Sequence, residues 1–135
     1  MPRIFTPAEA NSALSEVRPA AERLVALRGR MRELEHTQGE LVTAIAGNGG
    51  GYAAGDLNEA QTELFALAEA ASACVERLED LGVVVKDLDV GLLDFPALRG
   101  DEEVELCWRV GEDAVESWHR VGEGFAGRKP IDWDE

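Results

Sequence analysis

GVVVKDLDVGLLDFPALRGDEEVELCWRVGEDAVESWH, residues 82–119, decides the fold. From Gly82 the apolar period drops from the helical 3.6 to the strand value of 2. Val83, Val84 and Val85 run into the polar turn Lys86–Gly91, and Leu92–Phe95 returns until Pro96 ends it, which predicts a hairpin. Residues 97–103 read as a longer acidic loop, and Val104–Trp108 alternates as a third strand. With local connections the three strands make an antiparallel meander with one face on whatever precedes it. Beyond Gly111, a short helix is expected over residues 112–121, with Val115 and Trp118 on one side. Glu112, Glu116 and His119 then form a second stripe at i, i+4 and i+7.

What precedes the stretch is helical. Thr6-Pro7-Ala8-Glu9 supplies a capping hydroxyl, a proline at the first helical position and a glutamate that can bond back. Pro19 predicts a kink or break. Leu24, Leu27, Met31, Leu34, Gln38, Leu41 and Ile45 then recur in steps of three and four, a coiled-coil-like seam with one polar member. Residues 47–55 form a glycine-rich connector. No strand precedes it and no Lys-Ser or Lys-Thr follows, so it is a linker and not a phosphate loop. Asp56 and Glu59 repeat the cap, and Ala60, Leu64, Leu67, Ala71, Cys74, Leu78 and Leu81 continue the seam. The expected fold is α+β. A long antiparallel helical hairpin (7–46 and 56–81) packs with a three-stranded sheet (82–109) and the short C-terminal helix, and residues 122–135 are a tail. All lie in one domain, 1–135.

A net charge of −14 leaves no basic face for phosphate backbones or anionic lipid, so neither nucleic acid nor a membrane surface is an expected partner. No secretory segment is apparent, and Cys74 and Cys107 sit in apolar surroundings without CxxC spacing. They read as reduced, buried thiols in a cytoplasmic protein.

VKDLDVGLLDFPA, ELCWRVGE, the Trp118-His119 pair and GFAGRKPI occur in that order, with FTPAEANSAL and the glycine-rich connector before them. Together they resemble a bacterial family known as domain of unknown function 2203. The resemblance implies a small cytosolic bacterial protein with a long helical hairpin and a little sheet, and it implies no activity or substrate.

Asp94 interrupts an apolar strand, so its carboxylate must be solvated, paired with Lys86 or Arg109, or bound to a cation. If it faces His119, then Asp94, Glu112 and His119 could hold a divalent metal, with Asp87 as a fourth ligand. If not, the stretch is a structural cap. Trp118 could wall a small pocket, and Arg128 with Lys129 is the one basic spot in an acidic half. His36, among glutamates on an exposed helix face, reads as inert, and nothing beside Cys107 suggests an activated nucleophile. Two functions follow. The first is a non-enzymatic interaction or assembly module that self-associates through a second apolar flank of the hairpin, Val25, Val42, Phe65 and Val75. The second is a divalent-metal-binding protein or metal-dependent enzyme, with its site between the sheet and the C-terminal helix.

Overall fold

A computed structural model describes residues 3–48 and 51–133. The middle of the connector (49–50) and the last two residues lie outside the described residues; of residues 132–135, where fraying is expected, Asp132 is instead paired with Arg99 and Trp133 packs on Trp118. Helix α1 is Pro7–Asn48 and α2 is Gly51–Asp80. The capping box forms as expected: the Glu9 N–H donates to Thr6 Oγ1 at 3.1 Å, and the Thr6 N–H donates to Glu9 Oε1 at 2.9 Å.

The helices are longer than the sequence suggests. Helix α1 runs through Pro19 without a break, and Pro19 is exposed, so the Ser15 carbonyl it deprives of a donor can turn to water. Helix α2 starts at Gly51, so Asp56 lies inside it and caps nothing. Forty-two and thirty residues correspond to about 63 and 45 Å of helix. At the end nearest the sheet, Ala10, Leu14, Val17, Ala21 and Leu24 of α1 meet Ala71, Cys74 and Leu78 of α2 in the core; of these, Leu24, Ala71, Cys74 and Leu78 belong to the expected seam.

The sheet has five strands, not three: β1 (Val84–Asp87), β2 (Leu92–Arg99), β3 (Glu102–Arg109), β4 (Ser117–Arg120) and β5 (Lys129–Pro130), antiparallel in the order β1-β2-β3-β4-β5. Pro96 does not end β2. The Phe5 N–H donates to the Pro96 carbonyl at 2.7 Å, so that side of Pro96 faces the outer edge and its missing N–H costs no bond to β3. A parallel bridge from Phe5 to Ala97 sets an extended N-terminal segment beside the sheet. The expected acidic loop is a two-residue turn at Gly100 and Asp101, with Gly100 at φ 63° in the first central position, as a type II′ hairpin favours.

The predicted C-terminal helix is also absent; only a 3-10 turn, Phe125–Gly127, is helical there. The carbonyls that would have closed that helix are taken by α1. Arg18 donates to the carbonyls of Glu112 and Asp113 at 2.9 and 2.7 Å, and the Asn11 amide both accepts from the Val115 N–H and donates to its carbonyl. Held extended, the chain enters β4, where Trp118 and His119 pair with Leu106 and Glu105.

Leu93, Phe95, Ala97, Val104, Leu106, Trp108 and Trp118 belong to the apolar core that includes the helices. Alternation puts Asp94, Cys107, Glu105 and His119 on the opposite face. Of the proposed second flank, Val25 and Val75 are half-buried within the protein, while Val42 and Phe65 are exposed. At Gly91 (φ 68°) the β1–β2 turn meets α1; an added Cβ would strike Val110 and lie 2.9 Å from Val25 Cγ2. Gly91→Ala therefore combines left-handed strain with overpacking. It should destabilise by about 2–4 kcal/mol in urea titrations; no loss would mean the turn is not clamped to α1.

Candidate functional site

Asp94 on β2 lies directly across from Cys107 on β3, and His119 on β4 lies across from Glu105 on β3. The pairing brings a carboxylate oxygen, the Cys107 sulfur and an imidazole nitrogen within 4.8 Å of one another, all three residues buried. Lys86 on β1 brings its ammonium to 4.0 Å from Asp94 Oδ2. Asp94 is 1% exposed, and its Oδ2 is buried with no hydrogen-bond partner. Beside it lies a cavity of about 150 Å³, lined by Lys86, Leu92, Asp94, Glu105 and His119 and roofed by the turn around Gly124 and Phe125.

The hydrogen bonds of His119 fix what its ring can do. Nδ1 lies 2.8 Å from the Arg120 carbonyl, which can only accept, so Nδ1 carries a proton. Nε2 lies 3.0 Å from Asp94 Oδ1. A neutral ring so oriented would set a lone pair against a carboxylate, so that contact needs a proton or a cation between the two atoms. Burial alone disfavours the imidazolium. The bonds to the Arg120 carbonyl and to Asp94, with the nearby carboxylates of Asp94 and Glu105, outweigh it and hold the pKa above the usual histidine value. Burial, reinforced by the charge of Asp94, raises the Glu105 carboxyl. Burial likewise pushes the Cys107 thiol up to about 12, with Asp94 adding to it, so Cys107 is no free thiolate nucleophile.

Both expectations for Asp94 hold together: it faces His119, and it also pairs with Lys86. Arg109 lies exposed on β3 and makes no such pair. Glu112 is not brought to the cluster, because one carboxylate oxygen accepts from the Arg109 N–H at 2.8 Å and the other from Arg128 at 2.7 Å. The helical stripe that would have joined it to His119 does not exist. Asp87 folds onto its own turn, accepting from the N–H groups of Asp89 and Val90. Arg128 stacks over Phe125 at 4.5 Å, which ties the roof to Glu112. Trp118 packs edge-on against Trp133 at 5.5 Å and bonds the Pro130 carbonyl, so it serves the core and not a pocket wall. His36 is exposed, with Glu40 at 3.9 Å. Sequence reasoning missed Cys107 and Glu105 as neighbours of Asp94, since only the strand register reveals them.

A family model described as "Uncharacterized conserved protein (DUF2203)" matches residues 3–131, and the chain belongs to that family. Neither the curated proteins nor the solved structures yield a match. Among the described residues, no helix is long and apolar enough to cross a membrane.

The raised pKa of His119 sets a pH dependence. The stabilisation from its pairing is complete below the unfolded value of about 6.5 and is lost as pH rises through the higher folded value. Glu105, also raised, adds a loss of the same sign at lower pH. Metal-free wild type should therefore lose stability relative to His119→Gln as pH climbs above about 6.5 in denaturant titrations; a constant gap between the two would contradict a charged His119.

Proposed function

We propose that this member of the DUF2203 family binds a divalent transition-metal ion through Asp94, Cys107 and His119. The observation that carries the reading is the geometry of His119. Nδ1–H is anchored on a backbone carbonyl while Nε2 points at a carboxylate, the arrangement by which proteins orient a metal-ligating imidazole. In the metal-free protein a proton occupies the place of the ion. Mixed nitrogen, sulfur and oxygen donors suit Zn²⁺ or Co²⁺ better than Mg²⁺ or Ca²⁺, which prefer oxygen alone. Three ligands leave a fourth position, and Asp94 and His119 both line the adjoining cavity. The reducing cytoplasm of a bacterium would keep Cys107 a thiol available to the ion.

Elemental analysis of protein purified without chelator should find about one Zn²⁺-class ion per chain, lost in His119→Ala and strongly reduced in Cys107→Ser. Equal, negligible metal in wild type and His119→Ala would sink the reading.

Self-association through the hairpin is a second reading, favoured by the exposure of Phe65 (68%) and Val42 (54%) on the two helices. Light scattering should then show a dimer that Phe65→Glu converts to monomer; a wild-type monomer at high concentration contradicts it.

A further inference from the structure

We infer that the fourth position of this site takes a small monocarboxylate, held between the ion and Lys86. The inference rests on the metal reading above and adds to it the chemistry of the cavity walls. Lys86 and Glu105 flank Asp94 from the neighbouring strands β1 and β3, and both line the cavity. The Lys86 ammonium donates no hydrogen bond among the described residues; its nearest anionic partner is Asp94 Oδ2, 4.0 Å away. Once Asp94 serves the ion, that ammonium is left facing the cavity without a committed partner, and an anion reaching the ion also reaches Lys86.

Glu105 limits the charge of the ligand. Its side chain is 14% exposed, stands 3.9 Å from His119 Nδ1, and places a second carboxyl on the cavity wall. A dianion would meet that group at close range, whereas a monoanion can turn its charged end to the ion and Lys86. Leu92 and Phe125 make the remaining walls apolar and suit a short alkyl chain. At about 150 Å³ the cavity is small and suits a short carboxylate. Propionate meets all three conditions of charge, polarity and size.

The visible bands of the Co²⁺-loaded protein provide the test. Propionate should shift them saturably, while succinate, a dianion, should not at the same concentration. Lys86→Met should take up Co²⁺ as wild type does but bind propionate at least about tenfold more weakly, the loss of one charge-assisted hydrogen bond. Co²⁺ bands that ignore propionate, or equal propionate binding in Lys86→Met, overturn this inference and leave the metal site standing. A protein that takes up no Co²⁺ overturns the metal reading and this one together.

Discussion

A carboxylate and an imidazole, each 1% exposed, meet at 3.0 Å on the sheet face that points away from the helices, and the last third of the chain is arranged around keeping them dry. Burying polar groups is unfavourable unless each finds a partner. The Arg120 carbonyl, Asp94 and Lys86 supply most of those partners, and Asp94 Oδ2 is left without a hydrogen bond. Breaking such a pair by removing one member leaves an uncompensated buried group, which typically costs about 3–5 kcal/mol.

The two faces of the sheet thus do different work. The inner face is apolar and lies on the proximal half of the hairpin, where Phe5 and Phe95 pack edge to face at 5.1 Å. The outer face carries the polar cluster under a roof held by two ion pairs, Arg128 with Glu112 and Lys129 with Glu123. The distal half of the hairpin reaches past the sheet and depends on its own seam, with Leu34 and Ala60 buried there.

Much of this was legible in the residues. The capping box at Thr6, the α1 and α2 seams, strands β2 and β3, and the anomaly of an aspartate in an apolar strand all follow from local pattern. What local pattern could not supply was partnership. Pro96 looks like a strand terminator until its missing N–H is seen to face away from β3, on the side that Phe5 bonds. Glu112, Glu116 and His119 have helical spacing, yet Arg18 and Asn11, about a hundred positions away, claim the backbone groups a helix would need. Cys107 looked like simple packing because its neighbourhood with Asp94 exists only across a strand pair. The replacement of Glu112 by Cys107 in the candidate ligand set follows directly, and it moves the expected chemistry from hard oxygen-bound ions towards thiolate-binding ones.

The central claim is that a proton on His119 Nε2 stands where an ion belongs. Nitrogen-15 NMR of the imidazole reads that atom directly, and with only two histidines in the chain the spectrum is simple to assign. In metal-free protein near neutral pH both His119 nitrogens should appear protonated. On one equivalent of Zn²⁺, Nε2 should lose its proton and take a metal-bound shift, while Nδ1 keeps its proton on the Arg120 carbonyl. Ring signals that do not change with Zn²⁺ would contradict the account and leave Asp94 and His119 as a purely structural pair.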